Sequence, residues 1–404
     1  MTEKLKFIHA ADLHLDSPFL GLSDLPEHIF SQVKDSTFHA LENLVDTAIE
    51  HKIDFVLLVG DLFDHERQSL KAQVKLREAF EKLKEHNINV YLSYGNHDFL
   101  TGNIYPITYP ENVFIFHSEE VSSFTYEKDG EKLAKIYGFS YEHRAVTENK
   151  AVDYKIEDVS IPFHIATLHG SLYGNKQHAP YASFRLTDLH KEPFDYWALG
   201  HIHQREILSE QPPIIYPGNI QGRHRHETGE KGCYLVELSK TETNYTFIPL
   251  QTIIFENKII DVSDCEQMDE LERKLRKLFE EVHDRKLIYL TLYSNNERIY
   301  SFETEGFIQQ IIELLNESYA TNDTWHYIYD YQIETDRVEQ KFSNHFFVKE
   351  LYDTFKKLDM QEELEDLYHH HVGRKFLEPI AHEEVKEEAK RYLFHHLLKV
   401  KEGE

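Results

Sequence analysis

Five short groups of acidic, amide and imidazole side chains lie between residues 12 and 203 of the 404-residue chain. Carboxylate, amide and imidazole groups together form a mixed ligand set that suits Mn²⁺, Fe²⁺ or Zn²⁺. One such group alone is weak evidence, because similar pairs are common in turns, whereas five in one chain favour a shared metal site. The groups are D-L-H (Asp12, His14), G-D-L-F-D (Asp61), G-N-H-D (Asn96, His97), L-H-G (His169) and G-H-I-H (His201, His203).

The spacing inside these groups predicts that distant side chains converge. In D-L-H and G-H-I-H, the two polar residues alternate with an apolar one, so both can point to the same side of an extended chain. Glycine precedes Asp61, Asn96 and His201, and glycine allows the backbone to turn sharply where a strand ends. We therefore expect the groups to meet at strand ends.

The apolar pattern of the first 250 residues supplies the strands that these groups need. Strand-like runs at 6–12, 54–61 and 87–96 alternate with amphipathic helices at 34–50 and 69–86, which is typical of an α/β fold with parallel strands. Later strand-like runs predict a second, partly antiparallel sheet packed on the first. These runs are 113–117, 121–126, 134–139, 163–168, 195–199, 213–216, 232–238 and 244–249.

The composition changes near residue 255, and the rest of the chain predicts two further regions. A small α+β domain is expected from strands at 252–260, 286–293 and 325–334 and helices at 269–282 and 304–318. The remaining residues have a helical pattern. The predicted domains are 1–250, 255–340 and 341–404.

The order D-x-H, G-D, G-N-H-D, H and G-H-x-H resembles the calcineurin-like metallophosphoesterase superfamily, over residues 6 to about 225. The openings HAADLHLDSPF and GDLFD, with the C-terminal extension, are most similar to SbcD-type DNA-repair nucleases and, among these, to the YhaO subgroup. The resemblance implies a two-sheet β-sandwich flanked by helices. It also implies that the small α+β domain is a capping domain that shapes the approach of DNA.

The family's ligand pattern, carried onto this chain, implies a centre with two divalent ions. One ion would bind Asp12, His14, Asp61 and His203, and the other would bind Asp61, Asn96, His169 and His201. We expect Mn²⁺, with Fe²⁺ and Zn²⁺ as alternatives. His97 would stay off the metals and face the scissile phosphate, where a histidine can protonate the leaving alkoxide. Asp98 is expected to orient His97.

The glycine-rich loop YPGNIQGRHRHETGEKG, residues 216–232, follows the last ligands. One hypothesis is that Arg223 or Arg225 contacts a substrate phosphate. The alternative is an exposed loop whose arginines pair with Glu227 and Glu230. Asp64 lies near a ligand and is expected either to support it from behind or to belong to a solvated loop.

The net charge of −27 argues against a protein that coats nucleic acid through a broad basic surface. It leaves room for a phosphodiester at a metal centre, because carboxylates more than about 8–10 Å away are largely screened at physiological salt. We therefore expect weak affinity for DNA in this chain alone. The resemblance implies a partner, an SMC-like ABC ATPase, which would dock on the C-terminal helices. The alternative is that these helices pack on the chain's own domains. A homodimer is compatible with either arrangement.

Two features set the expected location. No apolar run approaches the roughly 18 residues of a membrane span, and no signal-peptide pattern opens the chain. Cys233 and Cys265 are isolated in the sequence, as is usual in a reducing compartment. A cytoplasmic protein without membrane contact is expected.

The sequence as a whole predicts a metal-dependent DNA phosphodiesterase, an exonuclease with single-strand or hairpin endonuclease activity as an addition. A metallophosphatase or cyclic-nucleotide phosphodiesterase of the same fold is one alternative, since it would use the same ligands. A non-catalytic scaffold is the other. The long C-terminal extension disfavours the first alternative, and the full ligand set with His97 disfavours the second.

Overall fold

The computed structural model describes residues 4–102, 107–174, 181–280, 282–320 and 323–335, with a few separate residues between 350 and 389. Its chain divides into two compact units, Met1–Glu256 with Asp284–Leu287 and Asn257–His283 with Ile288–Glu404. The predicted helical region 341–404 lies almost wholly outside the described residues. The division into three domains stays a prediction.

Fifteen strands and six α-helices lie in the described residues. The strands are β1 (Lys4–Ala11), β2 (Phe55–Val59), β3 (Asn89–Ser93), β4 (Val113–Ile115), β5 (Ser122–Lys128), β6 (Glu131–Gly138), β7 (Phe163–His169), β8 (Tyr196–Gly200), β9 (Glu206–Glu210), β10 (Pro213–Tyr216), β11 (Gly232–Ser239), β12 (Thr243–Pro249), β13 (Ile254–Asp261), β14 (Arg285–Tyr293) and β15 (Trp325–Glu334). The helices are α1 (Glu27–Glu50), α2 (Leu70–Glu85), α3 (Leu186–Leu189), α4 (Met268–Arg276), α5 (Glu297–Thr304) and α6 (Phe307–Tyr319). Short 3-10 helices occupy Lys150–Asp153 and Lys277–Phe279.

The first unit contains two mixed six-stranded sheets. Their strand orders are β12-β11-β1-β2-β3-β4 and β5-β6-β7-β8-β10-β9. In the first sheet β1, β2 and β3 are parallel neighbours, and in the second β6, β7 and β8 are parallel. The predicted α/β sandwich of two sheets is confirmed.

Alternate residues of the central strands serve two different cores. Phe55 and Leu57 of β2 pack between the sheets with Ile136 and Ile165 of the second sheet. Leu58, on the opposite face of β2, packs under the helices α1 and α2. Because both faces of the strand are buried, its sequence is a continuous apolar run, as is typical of parallel strands covered on both sides.

Two helices differ from their predicted bounds for local reasons. Helix α1 begins at Glu27 rather than at 34, and Ile29 and Val33 continue its buried face. The helix predicted over 304–318 is α6, which begins only after Gly306 with its left-handed φ of 76°, and the preceding helix α5 was not predicted. The edge strand β9 was not predicted, since most of its side chains are exposed or half-buried and no apolar alternation marks it.

The second unit contains the small α+β fold that the sequence predicts. Its sheet has the order β13-β14-β15, and its core joins Leu271 of α4, Leu290 of β14, Ile312 of α6 and Ile328 of β15. Within the described ranges, no helix combines the length and apolar character needed to cross a bilayer.

The sandwich brings five strand ends of the first unit to one edge. Strands β1, β2 and β3 of the first sheet end there, and so do β7 and β8 of the second, because parallel neighbours share a carboxyl edge. Backbone hydrogen bonds continue past the strand ends: the amide of Asp12 donates to Gly60 O (3.2 Å) and that of His14 to Asp61 O (3.0 Å). The loops that carry the candidate ligands are therefore fixed to each other.

Candidate dinuclear metal centre

Two groups of candidate ligands meet at this edge and share Asp61. In the first group the ligand atoms of Asp12, His14, Asp61 and His203 all lie within 4.8 Å of one another. The Nε2 atoms of His14 and His203 are only 3.0 Å apart. Each of these nitrogens lies 3.9 Å from a carboxylate oxygen, of Asp61 and of Asp12 respectively.

The second group contains Asp61, His169 and His201, again within 4.8 Å of one another. Asn96 belongs to the same cluster, because its Oδ1 lies 3.1 Å from His169 Nε2 and 3.1 Å from His201 Nδ1. The distance from His169 Nε2 to Asp61 Oδ2 is 3.4 Å. The structure thus brings together all seven residues that the sequence singles out as ligands, in two groups with one common carboxylate.

The carboxylates behind His14 and His203 indicate that the first group fits a cation. Nδ1–H of His203 donates to Glu227 Oε1 (2.6 Å), and Nδ1 of His14 faces Asp64 Oδ1 at 3.4 Å. Both contacts favour the proton on Nδ1, so the Nε2 lone pairs of the two rings face each other. A divalent cation between these nitrogens would replace their repulsion by coordination.

The charge states of these histidines agree with that orientation. Burial, together with the nearby Arg223 guanidinium, lowers the pKa of His14 to about 3. Burial also lowers the pKa of His203, although the Glu227 carboxylate opposes the change. Both rings are therefore neutral near pH 7, which is the form of imidazole that binds metals.

The two aspartates need a compensating charge because they are buried together. Asp12 and Asp61 are 0% and 1% exposed. Burial raises the pKa of Asp12 well above its usual value, and the Asp61 carboxylate adds to this effect. Buried charges are stable only when they are paired or bind a metal. The donor set thus fits two divalent ions, with Asp61 available to both.

Four of the seven ligands have strained backbones. The φ angles of Asp12, His14, Asp61 and His201 are 51°, 42°, 49° and 95°, in a region that residues with a Cβ rarely adopt. Each such residue costs about 1–3 kcal/mol, and such residues cluster at functional sites. The strain turns each side chain toward the common edge immediately after its strand ends.

The glycines beside the ligands serve two purposes. Gly60 has a φ of +74°, and a Cβ there would lie 2.2 Å from His169 Nδ1. Gly95 does not have a positive φ; a Cβ at that position would lie 2.3 Å from Asp61 Oδ1. At Gly200 the added atom would meet Val59 O at 2.1 Å. The expected turn therefore accounts for glycine at position 60. At positions 95 and 200, glycine is required because a Cβ would collide with neighbouring atoms.

His97 lies beside both groups and belongs to neither. Its ring is 5.0 Å from the His14 ring and perpendicular to it, and its Nδ1 lies 2.9 Å from the carbonyl oxygen of Asp64. Asp98, expected to orient this ring, instead accepts hydrogen bonds from the amides of Leu62 (2.6 Å) and Gly95 (2.7 Å). Asp98 therefore holds together two of the loops that carry ligands.

The arginines of the loop 216–232 have different surroundings. Arg223 is buried, with 7% exposure, and its Nη1 lies 2.5 Å from Asp64 Oδ1. Arg225 is half-buried, and its Nε lies 3.3 Å from His226 Nε2. The substrate contact stays a prediction for both.

Two supporting residues are not identified by the sequence interpretation. It assigns Glu227 only to a surface ion pair, but this carboxylate is buried against His203. The ammonium group of Lys231 donates to the carbonyl of His203 (3.0 Å). The only signal was their position in the same glycine-rich loop as Arg223, and that signal does not distinguish a buried side chain from an exposed one.

A two-sheet sandwich with two groups of candidate metal ligands at one edge fits the class of metallophosphoesterases. The family model described as calcineurin-like phosphoesterase matches residues 5–205. The chain is 40% identical over 391 residues to the metallophosphoesterase YhaO of Bacillus subtilis (strain 168), with 96% of each chain covered. This protein belongs to the calcineurin-like phosphoesterase family, and the resemblance to YhaO is confirmed.

The names of two more distant relatives state a function in DNA repair. The chain is 28% identical over 289 residues to the DNA double-strand break repair protein Mre11 of Methanocaldococcus jannaschii, covering 69% of this chain and 72% of the relative. It is 25% identical over 303 residues to the Mre11 protein of Methanopyrus kandleri, covering 68% and 63%.

Replacing Gly95 by alanine should weaken metal binding while the fold is retained. The new Cβ would lie 2.3 Å from Asp61 Oδ1 and 2.7 Å from His169 Nε2, so these ligands must move. We expect divalent-ion affinity to fall about 10- to 100-fold, the usual effect of disturbing a ligand's support. Calorimetric titration with Mn²⁺ measures it. Gly130→Ala is the control for backbone strain away from the ligands, since Gly130 has a φ of +80° and its Cβ would have no atom within 4 Å; equal losses in both variants would contradict the explanation.

Metal affinity should rise with pH up to about pH 9. Burial alone would lower the pKa of His169, but the Asp61 carboxylate outweighs this effect and raises the pKa to about 9. Below that pH, an ion must therefore displace a proton from His169. One displaced proton corresponds to about a tenfold change in affinity per pH unit. The Mn²⁺ affinity should be measured at several pH values for the native protein and for His169→Asn. The variant should show a slope smaller by about one proton, and identical slopes would refute the prediction.

Proposed function

We propose that this protein is a dinuclear metal-dependent DNA phosphodiesterase, an exonuclease of the SbcD type with additional endonuclease activity on single strands or hairpins. The observation that carries the proposal is the pair of ligand groups sharing Asp61, with the non-ligating His97 beside them. An enzyme that cleaves a phosphodiester needs both parts, one for the phosphoryl group and one for the leaving alkoxide.

The first group would hold one ion through Asp12, His14, Asp61 and His203, and Asn96, His169 and His201 would hold the other together with Asp61. When bound, two such ions neutralise phosphoryl charge and generate a nucleophile from water near neutral pH. The protein's own contribution is to fix these ligands before substrate arrives. The backbone amide of His201 does so for Asp12, since it lies 3.0 and 3.1 Å from the two carboxylate oxygens.

His97 is placed to act on the leaving group. Its Nδ1–H donates to the carbonyl of Asp64, so the opposite nitrogen, Nε2, is the one available for proton transfer. A protonated Nε2 would donate its proton to the alkoxide as the P–O bond breaks. Its backbone amide also donates to Asp61 Oδ1 (3.0 Å), which ties the position of His97 to the shared carboxylate.

DNA as substrate is supported by the relatives and by the chain's length. The Mre11 proteins are named for repair of DNA double-strand breaks and match about two thirds of this chain. A phosphatase or cyclic-nucleotide phosphodiesterase would use the same ligands, but it would have no need of the second unit. A scaffold would have no need of seven converging ligands. Mn²⁺ is the proposed metal, with Fe²⁺ and Zn²⁺ as alternatives.

The proposed setting is the cytosol, and the proposed partner is an SMC-like ABC ATPase bound through the C-terminal region 341–404. The two free cysteines, Cys233 and Cys265, are both buried, which is compatible with a reducing compartment. The net charge of −27 supports a need for a partner, because an acidic chain gains little from the phosphate backbone. A homodimer is compatible with the same role.

The substrate class can be tested by offering several phosphoesters to the purified chain with Mn²⁺. These are duplex DNA labelled at either end, a DNA hairpin, a small chromogenic diester and a monoester. Release of nucleotides from DNA ends supports the proposal. Cleavage of the small esters alone would replace it by the phosphatase alternative, and inactivity on every substrate with metal bound would favour the scaffold.

His97→Ala should lower the rate of DNA cleavage about 10²- to 10⁴-fold, the usual contribution of a general acid. Metal stoichiometry should not change, because His97 belongs to neither ligand group. Single-turnover cleavage and elemental analysis of the dialysed protein measure the two quantities. A rate within threefold of the native enzyme would exclude the proposed role, and loss of metal would reassign His97 to the ligands.

Removal of residues 341–404 should abolish association with the ATPase and leave nuclease activity on short DNA. Co-purification of the truncated chain with the ATPase measures association. Thermal unfolding of the truncated chain is the control for the integrity of the first unit. Retained association would show that the partner binds elsewhere.

A further inference from the structure

A buried arginine lies between two buried carboxylates behind the first ligand group. Arg223, Asp64 and Glu227 are 7%, 8% and 6% exposed. Nη1 of Arg223 donates to Asp64 Oδ1 (2.5 Å), and Nη2 lies 3.4 Å from Glu227 Oε1. The backbone amide of Arg223 also donates to Glu227 Oε2 (2.7 Å). We call these three residues the carboxylate bridge.

Each end of the carboxylate bridge contacts a different metal-ligand candidate. Asp64 Oδ1 lies 3.4 Å from His14 Nδ1, and Glu227 Oε1 accepts from His203 Nδ1 at 2.6 Å. These are the two histidines whose Nε2 atoms are 3.0 Å apart. The bridge therefore holds both imidazoles of the first group from behind.

The second group has a different kind of support. Nδ1–H of His169 donates to the carbonyl of Val59 (3.0 Å), which is fixed in strand β2. His201 Nδ1 faces the amide oxygen of Asn96. None of these contacts includes a residue of the carboxylate bridge. A change in the bridge should therefore reach one group and not the other.

Arg223 supplies the positive charge that the two buried carboxylates need between them. Two carboxylates at 8% and 6% exposure are stable beside each other only with a compensating cation. Nη1 of Arg223 contacts the Asp64 carboxylate and Nη2 the Glu227 carboxylate, so one guanidinium faces both negative charges. Without the guanidinium, the two carboxylates would repel each other, and each would lose its fixed position behind a histidine.

We propose that Arg223 is a positioning residue for one of the two ions. By joining Asp64 to Glu227, it fixes the positions of the His14 and His203 Nε2 atoms. The site of the other ion does not depend on it. The proposal rests on the proposed two-metal centre. It adds that only the first ligand group depends on the carboxylate bridge. It also assigns Arg223 to the support of the metal, in place of the substrate phosphate.

The test is a Mn²⁺ titration of native protein, Arg223→Met and Arg223→Lys. Electron paramagnetic resonance follows it, because two neighbouring Mn²⁺ ions give an exchange-coupled spectrum and one isolated ion does not. We expect native protein to bind two ions with coupling. Arg223→Met should bind one ion with native affinity and the second about 10- to 100-fold more weakly, without coupling at low Mn²⁺. Arg223→Lys should recover part of the coupling, since it keeps the charge.

The control is Lys128→Met, which removes a cation that is 45% exposed, whereas Arg223 is 7% exposed. Lys128 pairs with Asp54 at 2.6 Å, and that carboxylate is also 8% exposed, but the pair lies at the end of β2 opposite to Asp61. Removal of this cation should leave both ions and the coupling unchanged. Thermal unfolding in the presence of a chelator compares the stability of the two methionine variants.

Two results would overturn the proposal: two coupled ions in Arg223→Met with native affinity, or equal weakening of both ions. If Arg223→Met does not fold, Glu227→Gln decides, because the amide oxygen can still accept from His203 while the ion pair is lost. Selective loss of one ion in that variant supports the proposal, and native binding refutes it. No DNA is used, so native protein that binds two coupled ions but cleaves no DNA would contradict the proposed function alone.

Discussion

The structure depends on keeping two carboxylates, Asp12 and Asp61, buried together at the edge where five strands end. Desolvation of two like charges is expensive, and it is sustained only by cations or by several directed hydrogen bonds. Four histidines and an asparagine approach the same small volume from both sheets. Their loops are tied to one another by backbone hydrogen bonds and by the Asp98 carboxylate.

This constraint explains why several ligands adopt backbone angles that residues with a Cβ rarely adopt. Ligands directly after β1, β2 and β8 have positive φ angles, and glycines next to them leave room for imidazole and carboxylate groups. Strained backbone angles of this kind persist only where the surrounding packing holds the residues in place. That packing is present on both faces of β1 and β2, which are covered by the second sheet and by the helices α1 and α2.

The sequence predicted most of the first unit because its signals are local. Apolar runs such as 54–61 mark strands buried on both faces, and polar groups directly after them mark the carboxyl edge. All seven ligand candidates follow from that pattern and from the family resemblance. Boundaries were less accurate where a single backbone angle decides, as at Gly306 between α5 and α6. Of the two carboxylate partners of Arg223, Glu227 was named in one sequence hypothesis, but Asp64 could not be predicted, because it is 159 residues away in sequence and becomes a neighbour only through the fold.

The origin of the ligands in two different sheets has a mechanical consequence. Asp12, His14, Asp61 and Asn96 follow strands of one sheet, and the other three histidines belong to the other sheet. Ions held between them would join the sheets by coordination bonds at this edge, whereas side-chain packing and a few hydrogen bonds, such as that between His9 Nδ1 and the Tyr196 hydroxyl, join them elsewhere. Sliding of one sheet over the other would thus be resisted most strongly at the metal edge. Bound metal would then also stabilise the packing of the two sheets on each other. Its removal would let the sheets separate first at that edge.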